Sequence, residues 1–213
     1  MLAALKQTGW AILDGVRTTS DMLDLARGLG RPLPSPTGEV VKALNPTKSP
    51  TARPGSLSAD CGLGEFPFHT DTAFWPRPSR YLVMRVVGDP RRTTRLLHFE
   101  HVWSALGLRA QTDVLRSVWR TEQSMGGIYC SMKFSTGCSK GWRFDPKVMR
   151  PINASSRRTL EDFGRAIRDS EHKVDVSWER TSCIVVDNWQ VLHARGAAPP
   201  QELTRVLFRI YVE

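Results

Sequence analysis

A mainly β domain with helices packed outside it is the fold class this sequence predicts, on three observations. Residues 81–87 read Tyr-Leu-Val-Met-Arg-Val-Val, nearly continuously apolar, the pattern of a strand buried on both faces. Residues 204–212 alternate Arg205, Leu207, Arg209 and Tyr211 with Val206, Phe208, Ile210 and Val212, the period of two that a strand imposes. Residues 183–193 run from an apolar strand through the turn pair Asp187-Asn188 into a second strand that delivers His193.

The other elements follow in order. Residues 9–13 predict a short strand, and Asp14-Gly15 the turn that ends it. Thr19 or Ser20 is expected to cap a helix, because Met22, Leu23, Leu25, Ala26 and Leu29 recur at helical spacing before Gly30. Residues 31–64 are rich in Pro, Ser, Thr and Gly apart from the strand-like 40–44, so they read as surface loop, either a lid or substrate wall or a passive connection. Gly88-Asp89-Pro90 ends the buried strand. Residues 100–119 predict a helix whose packing face is Val102, Leu106, Leu108, Val114, Leu115 and Val118. Residues 126–141 show no clear period and are expected to be irregular strands and loops.

In residues 141–146 Arg143 and Asp145 alternate with Trp142 and Phe144. If the charged face points inward, Arg143 can hold an anionic group, oriented by Asp145; if outward, the two form an ordinary ion pair. Ser155 or Ser156 is expected to open a helix through Leu160, Phe163, Ala166 and Ile167, and Val174, Val176 and Trp178 alternate as a half-exposed strand.

The chemistry centres on residues 65–75, where His69 and Asp71 stand one residue apart. On an extended strand, side chains at i and i+2 share a face and can point at one ion. His193 supplies a third ligand. Two histidines and one carboxylate leave about three of six octahedral positions open, the arrangement of a non-haem Fe(II) site rather than of closed structural zinc. Two arginines on one face of the last strand need anions, because unpaired buried charge is costly.

His69-Thr70-Asp71, the distant His193 and then Arg205 and Arg209 resemble the Fe(II)/2-oxoglutarate-dependent dioxygenases of the taurine dioxygenase and clavaminate synthase type. The resemblance runs over nearly the whole of residues 1–213 as one domain, and implies a double-stranded β-helix, or jelly-roll, core. It implies that His69, Asp71 and His193 bind Fe(II), that Arg205 clamps the distal carboxylate of 2-oxoglutarate and that Thr94 donates a hydroxyl hydrogen bond to it. It also implies that Arg209 faces substrate or reinforces that carboxylate site. In the segment before Thr94, arginines stand where relatives carry glycines, which leaves Thr93 as the alternative to Thr94. The implied reaction couples oxidative decarboxylation of 2-oxoglutarate by O2 to oxidation of a substrate C–H bond. The chain is short for the family, which implies reduced lids or lids supplied by a second subunit of a homo-oligomer.

The composition bounds the partners. Thirty Lys and Arg against 21 Asp and Glu give a net charge of +9, which with Arg209 and Arg143 points to a small substrate bearing a carboxylate, sulfonate or phosphate, free or presented on an acidic carrier. The basic residues are scattered, and the lack of a basic block or aromatic-basic stripe argues against a nucleic-acid role. No apolar run approaches membrane length and residues 1–6 lack a secretion signal, so the expectation is a cytoplasmic protein. Cys61, Cys130, Cys138 and Cys183 form no Cys-x-x-Cys pair, so reduced thiols are expected. Two other classes share these features: a cupin-like module that binds metal or anion without turnover, and a nucleic-acid-directed oxygenase.

Overall fold

The computed structural model describes residues 1–45, 62, 64–122, 126–179, 181, 183–196 and 204–213. Helix α1 (Leu2–Thr8), strand β1 (Trp10–Leu13) and helix α2 (Thr19–Leu29) open the chain, followed by β2 (Pro32–Leu33), β3 (Lys42–Leu44), β4 (Phe66–His69), β5 (Tyr81–Val87) and β6 (Thr94–His98). Helices α3 (Phe99–Ala105) and α4 (Leu108–Arg116) lead to five short strands: β7 (Trp119–Thr121), β8 (Tyr129–Cys130), β9 (Lys133–Thr136), β10 (Ser139–Trp142) and β11 (Met149–Pro151). Helix α5 (Ala154–Asp169), β12 (Val174–Val176), β13 (Cys183–Asp187), β14 (Val191–Arg195) and β15 (Val206–Val212) complete it.

Two antiparallel sheets carry the fold. The larger has the order β1-β13-β5-β15-β2, with β3 also paired to β15; the smaller has the order β12-β6-β14-β4. Their facing surfaces share one apolar cluster, drawn from Leu82, Met84, Ile184, Val186 and Tyr211 on the larger sheet and Leu96, Val176 and Val191 on the smaller. The opposite face of the larger sheet, through Val83, Val185, Ile210 and Val212, packs on Met22 and Ala26 of α2 and Leu5 of α1. The opposite face of the smaller sheet, through Phe68, Leu97, Leu192 and Ala194, packs on Phe99, Val114 and Phe163 of α3, α4 and α5. The nearly unbroken apolar run of β5 is thus explained, since both of its faces are covered. Each fully buried aliphatic side chain there is worth about 1.5–3 kcal/mol.

Several boundaries differ from the sequence expectation. Thr18, not Thr19 or Ser20, caps α2, in a reciprocal box with Asp21, and Asn153 caps α5 in a box with Ser156. The helix expected over residues 100–119 is two helices, because Leu106 and Gly107 both take extended backbone conformations. That break turns the expected apolar face outward in part: Leu108 is 85% and Leu115 52% exposed. Cys61 lies outside the described residues, and Cys130, Cys138 and Cys183 are free thiols. Among the described residues no helix is long and apolar enough to cross a membrane.

Arg158 of α5 donates from Nε to Asp113 Oδ2 of α4 at 2.8 Å, pinning the two helices together. The Arg158 hydrogen bonds, with one from Ser155, hold the Asp113 carboxyl below the usual carboxylate range. A depressed folded-state pKa gives stability that is complete above the unfolded value of about 3.9 and is lost as pH falls through the folded value. Arg158→Met is therefore expected to lower the thermal midpoint by about 2–5 °C at pH 7. The gap between variant and parent should close as melts are repeated at successively lower pH below about 4.

Candidate metal centre

The site lies on the smaller sheet, where β4 and β14 pair with His193 directly opposite His69. Their imidazole centroids are 4.2 Å apart, and one ligand atom from each of His69, Asp71 and His193 lies within 4.8 Å of the others. All three side chains are buried. His69 Nδ1 lies 2.9 Å from the Pro67 carbonyl oxygen, which fixes that nitrogen as a donor and turns Nε2 toward Asp71, whose charge, with that of Asp145, pushes the imidazole pKa up against its burial. His69 Nε2 stands 3.7 Å from Asp71 Oδ1, and His193 Nε2 3.6 Å from Oδ2.

Asp71 reaches this position by a different route from the one its spacing predicts. β4 ends at His69, and the chain then turns instead of continuing as a strand. Thr70 donates its N–H to Phe144 O at 2.7 Å, and Asp71 donates its own to Asn188 Oδ1 at 2.8 Å. Asn188 Nδ2 donates back to Asp71 O at 3.0 Å and to Ser79 O at 2.9 Å. One wholly buried amide thus closes on both main-chain groups of the carboxylate ligand. Thr72 then adopts a left-handed conformation, φ 55°, strained for a β-branched residue. Its hydroxyl, 2.7 Å from Asp71 O and accepting the Ser79 N–H at 2.9 Å, helps hold the turn.

Burial favours uncharged forms at this site, and the neighbours decide where that gives way. Burial, then the neighbouring His69 charge, lowers the His193 pKa to about 4, so this imidazole is neutral and able to ligate. Burial would raise Asp71, but Arg209 and the two histidines hold it well below the usual range, as a carboxylate. Arg209 Nη1 donates to Asp71 Oδ2 at 2.7 Å, and its guanidinium lies 4.8 Å from the centre of the Tyr211 ring. His193 Nδ1 is buried without a hydrogen-bond partner among the described residues. Two imidazole nitrogens and an ionised carboxylate gathered on buried side chains form a donor set that fits a divalent first-row metal.

The remaining expected site residues fall as follows. Thr94 is buried on β6, on the face that points between the sheets, and its hydroxyl accepts from Trp178 Nε1 at 3.0 Å. Thr93 instead turns its hydroxyl outward to Asp175, at 3.3 Å. Arg205 is buried immediately before β15, where the Gly88 backbone packs so closely on Thr204 and Arg205 that a Cβ at residue 88 would lie 2.1 Å from Thr204 O. Of the two roles its pattern leaves open for Arg143, the ion pair with Asp145 is not formed among the described residues. Arg143 Nη1 donates to Ala73 O and Trp75 O at 3.1 and 2.8 Å, and its Nη2 to Pro76 O at 3.0 Å. Both Nη atoms serve carbonyls of the turn that follows Asp71, while Nε is buried without a hydrogen-bond partner among the described residues. Asp145 makes no ion pair among the described residues; it is buried, its carboxyl is pushed up by burial, and it feels the charges of His69 and Asp71.

Asn188, Thr72 and Trp178 are the residues that sequence reasoning did not place at the site. The Asp-Asn pair was visible as a turn, but its grip on a residue 117 positions away was not.

Paired antiparallel sheets enclosing a two-histidine, one-carboxylate cluster define a metal-dependent oxygenase class of β protein. The taurine catabolism dioxygenase TauD, TfdA family matches residues 1–211, and the chain belongs to that family. It is therefore one of the Fe(II)/2-oxoglutarate-dependent dioxygenases that its motif resembled. No curated protein sequence matches it.

Among solved structures it is similar to asparagine oxygenase, with a TM-score of 0.77 at 19% identity over 99% of this chain and 76% of that one. The complex of asparagine oxygenase with Fe(II), 3-hydroxyasparagine and succinate gives 0.73 at 19%, over 95% of this chain and 66% of that one. PvcB from Pseudomonas aeruginosa gives 0.73 at 15%, over 100% and 78%. OrfP with Fe, succinate and (3S)-hydroxy-L-Arg gives 0.69 at 16%, over 91% and 66%. The chain thus spans about two thirds to three quarters of the length of these structures, and at such identities the likeness is one of fold.

Proposed function

We propose that this chain is an Fe(II)- and 2-oxoglutarate-dependent oxygenase that oxidises a C–H bond of a small amino-acid-like molecule, on a double-stranded β-helix core formed by residues 1–213 as one domain. The observation that carries this reading is the buried convergence of His69, Asp71 and His193, with ligand atoms within 4.8 Å. When bound there, iron with 2-oxoglutarate and O2 supplies oxidative decarboxylation to succinate and CO2 and the oxidising power for the C–H bond.

The chain's own part is holding and orienting. His69, Asp71 and His193 hold the metal, with the Pro67 carbonyl and the Asn188 amide fixing the direction of the first two. Arg205 and the Thr94 hydroxyl take the far carboxylate of the oxo-acid; a planar guanidinium suits that two-pronged contact better than an ammonium. Arg209 keeps Asp71 ionised and lends positive charge to the substrate side. Arg143 braces the turn behind Asp71, and so is withdrawn from substrate binding.

A substrate carrying both charges is supported by two features. Arg209 offers an anion contact, and Asp145 is a buried carboxylate beside His69 with no cation partner among the described residues, suited to an ammonium. Asparagine oxygenase and OrfP were solved with hydroxylated amino acids, which agrees with this class.

The test is an anaerobic optical titration of the metal-free protein with Fe(II) and 2-oxoglutarate. A weak visible charge-transfer band requiring both additions, and lost in His193→Ala and Arg205→Ala, is the expected result. A folded protein that binds iron and gives no band would leave the metal-binding module without turnover as the better description. Succinate release on adding amino acids then reads the substrate class.

A further inference from the structure

We infer that Trp178 is a positioning residue for the oxo-acid cosubstrate, acting through the proton of the Thr94 hydroxyl. The inference rests on the oxygenase reading above. Trp178 follows β12, whose Val176 pairs with Thr94 across the sheet. The indole is buried in the cluster between the sheets, with Leu96, Met84 and Tyr211, and its Nε1 donates to Thr94 Oγ1 at 3.0 Å.

An indole N–H can only donate, and a hydroxyl has one proton and two lone pairs. With one lone pair of Thr94 occupied by Trp178, the threonine proton cannot return to the indole and must point elsewhere. No other hydrogen bond of the Thr94 hydroxyl exists among the described residues. A buried indole could as well have met a main-chain carbonyl, which would have ended the matter. Instead the pair leaves one buried donor unspent, a group that costs stability unless something accepts it.

The placement of that donor narrows what accepts it. Across β6 and β14, Leu96 stands opposite His193, and Thr94 opposite Arg195, two residues further along the same face. Two strand residues span about 7 Å. The span suits a five-carbon dicarboxylate whose oxo-acid end lies at the metal ligands and whose far carboxylate accepts from Thr94. A carboxylate bond of this kind is charge-assisted, so its direction matters to affinity.

The experiment measures the dissociation constant of 2-oxoglutarate for the iron-loaded protein under nitrogen, in the parent, Trp178→Phe, Thr94→Val and the double variant. Because phenylalanine leaves a gap, 3-benzothienylalanine at position 178, which keeps the ring shape and removes the N–H, is measured beside it. The expected result is a rise of about tenfold on removing the N–H, with unchanged iron affinity. The double variant should bind no more weakly than Thr94→Val alone. Additive losses, or an unchanged constant with benzothienylalanine, would overturn the inference while leaving the oxygenase reading intact. A parent protein that takes iron but not 2-oxoglutarate would remove both.

Discussion

Replacing Asn188 with alanine is expected to lower the free energy of unfolding by about 2–4 kcal/mol and to take most of the iron affinity with it. The side chain is wholly buried and makes three hydrogen bonds, two of them to the N–H and C=O of Asp71. Truncation leaves these groups and the Ser79 carbonyl without partners in a dry site, which is the expensive side of hydrogen-bond energetics. Asn188→Asp is the sharper experiment, since it keeps the volume but turns an oxygen toward two carbonyl oxygens. Denaturant melts and iron titrations of both variants check this, and a folded Asn188→Asp protein with unchanged iron affinity would show that Asp71 holds its place unaided.

Arg143→Met is the second large effect, expected to cost about 3 kcal/mol of stability. Methionine fills much of the same space but strands the carbonyls of Ala73, Trp75 and Pro76, which the guanidinium now serves. Because those residues follow Asp71 directly, iron retention should weaken as the turn loosens. Substrate preference should stay as it was. A variant of normal stability that lost only affinity for anionic substrates would return Arg143 to the role its sequence pattern first suggested.

Arg143 also shows where a sequence stops being informative. The strand β15 was readable because its residues alternate with the period of the backbone itself, and β5 because its nearly unbroken apolar run needs cover on both faces; both have the expected faces. His193 was readable from its setting, one strand beyond an Asp-Asn turn. Asp71 was found for a reason that does not hold: it lies in a turn, not on the strand with His69, and reaches the metal ligands because Asn188 and Thr72 bend the chain there. The partners of Arg143 are main-chain oxygens of an irregular segment, which carry no residue code. The division of one expected helix at Gly107 left a trace that the single-helix expectation does not use: Leu106 and Leu108, two residues apart, lie on opposite sides of any continuous helix. The Trp178–Thr94 bond joins residues 84 apart, beyond any local pattern.

The place of β15 in the larger sheet has a consequence for how the protein is made. It lies between β5 on one side and β2 and β3 on the other. The candidate metal ligands come from residues 69–71 and from His193. A nascent chain emerging from the ribosome can therefore pair few of its early strands with their final neighbours, and contacts of such long sequence separation form slowly. Iron has no complete set of candidate ligands to bind until His193 on β14 has been synthesised and docked beside β4, so loading waits on one of the latest pairings of the sheet.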